Sequence, residues 1–130
     1  MRRSVKSHYD LEVFQISFET ATKIFEITRK FPSEERYSLT DQIRRSSRSV
    51  SANIAEAFRK RRYALSFIAK LSDAAGEAAE TQVWLDFSAK CRYITEDAAQ
   101  EMKTEYDRVI GKLVIMINRP EDWDPSRRSP

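Results

Sequence analysis

The chain has 130 residues, of which 33% are charged, and its formal net charge is +3. This length is typical of one domain with a buried core, and no apolar run approaches the roughly 20 residues of a membrane span. A mean hydropathy of -0.62 and a single cysteine, Cys91, predict a cytoplasmic protein without an internal disulfide. Because the chain has only two glycines and four prolines, most of it is expected to form helices.

The first predicted helix runs from Asp10, its expected N-cap, to about Lys30, and it follows a flexible basic arm, residues 1–9. Two apolar stripes at helical spacing lie side by side on this helix and cover more than half of its circumference. The first stripe consists of Leu11, Phe14, Phe18, Ala21 and Phe25, and the second of Val13, Ile24, Ile27 and Phe31. Such a helix is either central in one bundle or part of a subunit interface, and its broad apolar surface favours the interface.

A second helix follows Pro32, because the residue before a proline is steered away from helical backbone angles and so ends the first helix. The N-cap of this second helix is either Ser33, followed by an acidic first turn, or else Ser38 or Thr40. In the latter case residues 33–37 form a short connecting turn.

The second helix, which we expect to end near Arg59, carries an aliphatic stripe and an arginine stripe on separate faces. The aliphatic stripe consists of Leu39, Ile43, Ser47, Val50, Ile54 and Phe58, and the arginine stripe of Arg44, Arg48, Arg59 and Arg62. The aliphatic stripe would pack against other helices, which leaves the arginine stripe available to a partner. Asn53, a poor helix former, is expected to form a hydrogen bond across the bundle.

Between positions 44 and 62, seven basic residues stand against one acid, Glu56. These residues form the candidate nucleic-acid-binding surface, which comprises Arg44, Arg45, Arg48, Arg59, Lys60, Arg61 and Arg62. A surface of this kind would contact phosphates. The same pattern also fits a solvated helix face, and the cations at the helix C-terminus complement the helix dipole.

The third helix is predicted from about Tyr63 to Cys91, with a core stripe whose alanines indicate close packing. This stripe consists of Ala64, Ile68, Leu71, Ala75, Ala78, Gln82, Leu85 and Ala89. Gly76 costs about 1 kcal/mol relative to alanine in a helix interior, so we expect a close contact there. Glu80 is expected to pair with an arginine or with Asn53 inside the bundle.

A fourth helix is predicted from Thr95, a good N-cap, to about Asn118, and residues 119–130 are expected to form a flexible tail. In this tail, Trp123 is a candidate anchor on a neighbouring surface. Four helices with short connections predict an all-α fold, an antiparallel up-and-down four-helix bundle over residues 10–118.

The segment FPSEERYSLTDQIRRSSRSVSANIAEAFRKRR resembles the signature of the bacterial four-helix-bundle proteins named after large-subunit rRNA intervening sequences. The residues that carry the resemblance are Phe31, Pro32, Glu35, Tyr37, Leu39, Gln42, Arg44, Arg45, Ser49, Asn53, Ile54, Ala55 and Glu56. The segment 74–94 also resembles the third helix of that family, including Glu80 and the turn at Tyr93. Ala57 and Arg92 depart from the family, because glycine is usual at both positions. The side chain of Ala57 argues against a close approach of another group to the backbone there. The presence of Arg92 indicates a turn geometry different from the one that glycine gives other members of the family.

The resemblance implies a four-helix bundle that assembles into a ring-shaped oligomer, a homopentamer. A similar accessory protein of diversity-generating retroelements is a pentameric barrel that binds nucleic acid and a reverse transcriptase, so RNA or DNA is implied as a partner. The residues expected to form the structural motif of the family are Asn53, Ile54, Ala55, Glu56 and Glu80.

The residue inventory argues against an enzyme and against a bound cofactor or metal. The only histidine, His8, lies in the predicted arm, so the bundle lacks a histidine base. Cys91, near a helix C-terminus, lacks the positive end of a helix dipole that would activate its thiolate. No glycine-rich phosphate loop occurs, and a metal site formed by Glu56 and Glu80 alone is disfavoured.

The leading hypothesis is a homo-oligomer whose arginine stripe contacts phosphates of RNA or DNA. Binding would be sensitive to salt and weakly specific for sequence, because the stripe itself contains no aromatic residue that could stack on a base. The alternative is a protein-interaction scaffold whose arginines form salt bridges between subunits and bind no nucleic acid. A third hypothesis is a bundle that binds a small anion in its central pore.

Overall fold

The computed structural model describes residues 5–127, which form four α-helices and several short 3-10 turns. The helices are α1 (Glu12–Thr28), α2 (Leu39–Arg59), α3 (Ala64–Lys90) and α4 (Glu96–Asn118). Each helix packs against the next in the chain, and α1 closes the arrangement by packing against α4. Since the connections are short, neighbouring helices run antiparallel, and the described residues form an all-α four-helix bundle without a strand.

The N-terminus of α1 differs from the prediction. Its N-cap is Leu11, which has no side chain able to cap, and the predicted N-cap, Asp10, lies in a preceding 3-10 turn. The Asp10 carboxylate accepts the backbone N–H groups of Lys6 at 2.9 Å and of Ser7 at 3.2 Å. These hydrogen bonds lower the pKa of Asp10. The prediction that Asp10 is the N-cap of the first helix is therefore wrong, because its carboxylate is used by the preceding 3-10 turn, whose N-cap is Ser7.

The connection between α1 and α2 follows the second of the two predicted alternatives. Ser33–Glu35 form a 3-10 turn, and Ser38 is the N-cap of α2, although its side chain does not cap the helix. Instead, the Glu35 carboxylate accepts the Leu39 backbone N–H at 3.2 Å and the Ser38 hydroxyl at 2.6 Å. A glutamate thus supplies the acceptor that the serine was expected to provide. Thr95 does cap α4 as predicted, by accepting the Ala98 N–H at 3.0 Å.

The aliphatic stripe of α2 is buried throughout, as the periodicity predicts. Small hydroxyl residues let α2 approach both neighbours closely and bond to them inside the bundle. The Ser51 and Ser17 hydroxyls lie 2.9 Å apart between α2 and α1, and those of Ser46 and Thr81 lie 2.7 Å apart between α2 and α3. All four residues are buried, so these bonds replace contacts that the hydroxyls would otherwise make with water.

Three predicted contacts inside the bundle are wrong. Asn53 bonds to its own helix, because its side-chain N–H donates to the Ser49 carbonyl at 2.9 Å and does not cross the bundle. Glu80 likewise accepts a hydrogen bond from Trp84 on its own helix, at 3.3 Å. Gly76 makes no close contact, since a Cβ at that position would meet no atom within 4 Å. All three side-chain positions lie near the surface of α2 or α3, where same-helix partners and open space are available.

The chain termini are only partly described. Residues 1–4 of the predicted arm and residues 128–130 of the predicted tail lie outside the described residues. Within the described part, Val5 and Trp123 pack against the core of this same chain. None of the helices within residues 5–127 combines the length and the hydrophobicity that a membrane span requires.

Thr81→Val tests the hydroxyl contact between α2 and α3. Valine keeps the shape of the side chain but leaves the buried Ser46 hydroxyl without its interhelical partner, so we expect the free energy of unfolding to fall by about 1–2 kcal/mol. Chemical denaturation measures this difference. The control is Thr104→Val at an exposed position of α4, for which we expect a change within about 0.5 kcal/mol. Equal effects of the two substitutions would contradict the role of this contact.

Tyr93→Phe tests a contact that joins the two turns at one end of the bundle. The Tyr93 hydroxyl donates to Glu35 at 2.8 Å, and hydrogen bonds from Ser38, Tyr93 and the Leu39 backbone hold the pKa of Glu35 below its usual 4.5. A lowered carboxyl pKa stabilises the folded state above the unfolded pKa, and this stabilisation is lost as the pH falls through the folded value. We therefore expect the variant to lose less stability than the wild type on acidification below about pH 4.5, as measured by thermal unfolding. If the stabilities of the wild type and the variant fall equally on acidification, the assigned contribution of this hydrogen bond would be refuted.

Candidate nucleic-acid interface

Arg44 and Arg48 gather around an aromatic ring of α1. The guanidinium of Arg44 lies 4.7 Å from the centre of the Phe25 ring, and that of Arg48 lies 5.7 Å from the same centre. The Arg44 Nε also donates to the Thr28 hydroxyl at 2.8 Å. Arg44 is half-buried and Arg48 is exposed. Arg44 is therefore a structural contact between α1 and α2, whereas Arg48 keeps its charge in water.

Arg45 lies on another side of α2, about 100° around the helix from Arg44. It is exposed and donates a weak hydrogen bond to Gln42 at 3.3 Å. Its charge acts on Glu77 of α3. Burial raises the pKa of Glu77, Glu80 adds to the increase, and Arg45 opposes it. Arg45 consequently faces toward α3 and does not extend the arginine stripe.

The basic cluster at the C-terminal end of α2 has two kinds of member. Lys60 forms an ion pair with Glu56 at 3.3 Å, and Glu56 also pairs with Lys70 at 3.4 Å. These two contacts hold the pKa of Glu56 below its usual value. Arg61 stacks over the Phe58 ring at 3.9 Å and donates to a backbone carbonyl. Arg59 and Arg62, in contrast, are both exposed.

The predicted basic residues therefore do not form one continuous surface. Arg48 and Arg59 are separated by about 16 Å along the helix axis, and Arg45 lies to one side of both. Within residues 5–127, the arginines of α2 and the following turn that form no ion pair are Arg44, Arg45, Arg48, Arg59 and Arg62. On α4, by comparison, Lys103, Arg108 and Lys112 are each paired with a carboxylate. In this respect the arginines of α2 differ from the basic residues of α4.

Sequence reasoning missed the aromatic residues that lie beside Arg48. An open groove of about 310 Å³ is lined by Phe18, Ala21, Thr22, Phe25, Arg48 and Ser51. The sequence argument considered only the arginine stripe of α2, which contains no aromatic residue, whereas the rings beside Arg48 belong to α1. The unusually broad apolar surface of α1 was the sequence signal that could have located them.

Comparison with known proteins identifies a family and a similar solved structure. Residues 9–114 match the sequence model of the family described as 23S rRNA-intervening sequence protein. A solved structure from Bacteroides thetaiotaomicron, a protein with unknown function from the S23 ribosomal protein family, is 30% identical in sequence and has a TM-score of 0.73. That similarity covers 82% of this chain and 95% of the other. No curated protein matches the chain. The family match includes every basic residue of the candidate surface.

Arg44→Ala and Arg45→Ala separate the structural arginine from its exposed neighbour. Arg44→Ala removes the hydrogen bond to Thr28 and the contact with the Phe25 ring, so we expect a loss of about 1–2 kcal/mol in the free energy of unfolding. Arg45→Ala should change it by less than about 0.5 kcal/mol. Urea denaturation of both variants at one ionic strength measures the difference. A larger loss for Arg45→Ala would contradict the assigned geometry.

Proposed function

Because this chain belongs to the 23S rRNA-intervening sequence protein family, we propose that it is a non-enzymatic, self-assembling helical protein that binds nucleic acid. In this proposal the exposed arginines Arg59 and Arg62 contact phosphates, and the chains assemble as a homopentameric ring. RNA is the first ligand to test, because the description of the family refers to 23S rRNA. Such a ligand implies a cytoplasmic protein.

The observation that carries the proposal is the uncompensated charge of these arginines. On α4, by contrast, the cationic side chains of Lys103 and Lys112 lie against carboxylates of the same chain. Arg59 and Arg62 are exposed and form no ion pair within the described residues. Free guanidinium groups are well suited to phosphate oxygens, and each contact would release counterions from the nucleic acid. Binding should therefore weaken steeply as salt increases.

Self-assembly would strengthen the binding of nucleic acid without any additional kind of contact between protein and nucleic acid. One subunit offers only a few separated arginines, which corresponds to weak, non-specific affinity. A ring repeats the same cluster on every subunit, so a long nucleic acid can engage several clusters at once, and its effective affinity rises. The proposed function thus depends on both the charge of α2 and the oligomer.

A binding measurement with Arg59→Glu/Arg62→Glu tests the proposal. We expect the wild type to bind a fluorescent RNA at about 50 mM salt and to lose affinity strongly at about 200 mM. Reversing two phosphate-contacting charges in every subunit should weaken binding at least about tenfold. Both residues are exposed and remote from the groove at Phe25, so the oligomer should persist. Fluorescence anisotropy gives the affinity, and light scattering verifies the assembly.

The control is Lys30→Glu/Lys90→Glu, which changes the net charge equally at exposed positions away from the C-terminal end of α2. This control should retain most of the affinity. Equal losses in the two double variants would indicate attraction to overall charge and would refute a specific surface. A wild type that ignores RNA and DNA at low salt would refute nucleic-acid binding altogether.

A protein-interaction scaffold is the second candidate, and one observation favours it. Arg48 lines an apolar groove, and a cation beside exposed aromatic rings is typical of protein interfaces. In a scaffold, the wild-type protein would assemble but would not bind nucleic acid. The two readouts of the preceding experiment, affinity and mass, separate the candidates.

A further inference from the structure

The outer side of α1 is apolar and uncovered within the described residues. We call it the aromatic face; it consists of Phe18, Ala21, Thr22 and Phe25. Phe18 is 58% exposed, although burial of so large an aromatic ring is favourable. Two open grooves, of about 310 Å³ and 440 Å³, share Phe18 and Thr22 in their linings and therefore join along the helix. This face is shaped to receive another element.

The outer side of α3 offers a second apolar surface. We call it the α3 strip; it consists of Leu65, Ala69, Ser72, Gly76, Ala79 and Val83. Its spacing alternates between four and three residues, which places all its members on one line along about 27 Å of helix. Every member is exposed, Leu65 by 84% and Val83 by 46%. At its centre, a Cβ on Gly76 would meet no atom within 4 Å, so a neighbouring helix could approach closely.

The charges beside the two surfaces are opposite. Arg44 and Arg48 border the aromatic face. One side of the α3 strip is bordered by what we call the acidic edge: Asp73, Glu77 and Glu80, which form no ion pair within residues 5–127. Burial, together with repulsion from Glu80 and Asp73, raises the pKa of Glu77, although the charge of Arg45 partly opposes this increase. A cation brought to this edge from outside the chain would relieve that repulsion.

The exposed apolar residues of α4 fit the aromatic face less well. Ile115 shares a face of α4 with Arg108 and Lys112, which pair with Glu12 of α1. Arg108 also pairs with Glu105. Placing this surface against Arg44 and Arg48 would bring like charges together, which is unfavourable. Compared with this surface of α4, the α3 strip has the complementary charge beside it.

We propose that the aromatic face of one copy packs on the α3 strip of a second copy, with Arg44 and Arg48 against the acidic edge. This inference rests on the self-assembly proposed above and names the surfaces that produce it. The two surfaces differ, so the contact is head-to-tail: each copy uses its aromatic face on one side and its α3 strip on the other. Repetition of such a contact closes into a ring when the rotation per subunit permits.

Gly76→Gln tests the α3 strip without disturbing the isolated fold. The added side chain enters open space, and glutamine is a better helix former than glycine, so the thermal stability of the single chain should not fall. In the proposed contact, the same side chain occupies the space needed by the aromatic face, and self-association should weaken at least about tenfold. The matched control is Gly111→Gln on α4, an exposed glycine that is equally open. Sedimentation velocity gives the mass of each assembly relative to one chain of 15.2 kDa.

A mixing experiment tests the head-to-tail arrangement. Phe18→Gln removes the exposed ring of the aromatic face but leaves the α3 strip intact, so each variant retains one functional surface. We expect Gly76→Gln and Phe18→Gln to be monomers separately and to form a two-subunit complex when mixed. If both variants remain monomeric after mixing, the proposed pairing of the aromatic face with the α3 strip would be overturned.

The possible failures are distinguishable. A wild type that remains monomeric at high concentration would overturn both the proposed self-assembly and this interface. A wild-type oligomer that Gly76→Gln leaves intact, or that Gly111→Gln disrupts equally, would overturn the interface and leave self-assembly standing. RNA binding by the Arg59 and Arg62 cluster is measured independently of these outcomes.

Discussion

The close packing of α2 against both α1 and α3 is the constraint that positions every surface of this protein. Serine hydroxyls fit between the helices and bond across them, at 2.9 Å between Ser17 and Ser51 and at 2.7 Å between Ser46 and Thr81. Larger side chains at these positions would force the helices apart, because protein interiors have few voids. Since α2 is held on two sides, its remaining faces have little freedom. Its arginines consequently project at fixed positions along the bundle.

These positions give the arginines different physical roles. Arg44 is held by Thr28 and Phe25, and its long side chain covers apolar surface between two helices. Arg48 contacts the same ring from an exposed position, which suits it to a protein partner. Arg59 and Arg62 are exposed at the end of α2, where phosphate oxygens could approach without displacing an internal carboxylate. Charge that appears uniform in sequence therefore has different surroundings at each arginine, and in the two proposals it would be divided between folding, assembly and ligand binding.

The two proposals are linked by the exposed apolar surfaces of α1 and α3. A bundle of this size could cover its core with one apolar stripe on each helix, yet Phe18 and Leu65 remain exposed. If these surfaces pair between copies, the exposed apolar area is removed from water, and a cluster of arginines is repeated at regular intervals. Weak individual contacts with phosphates then become a multivalent surface. Assembly and ligand binding would thus use separate residues of the same short segment.

The sequence by itself determined the four helices, their approximate ends and the buried stripe of α2, because these depend on local periodicity, capping residues and the breaking effect of Pro32. It also indicated that α1 is apolar over more than half of its circumference, which favoured a subunit interface over a central position in one bundle. Only the tertiary structure decided which stripe of α1 lies inside, where Asn53 and Glu80 find their partners, and which arginines remain unpaired. Those outcomes depend on residues of other helices, as Phe25 beside Arg44 illustrates. Such neighbours are distant in the chain, so a pattern read along one helix does not contain them.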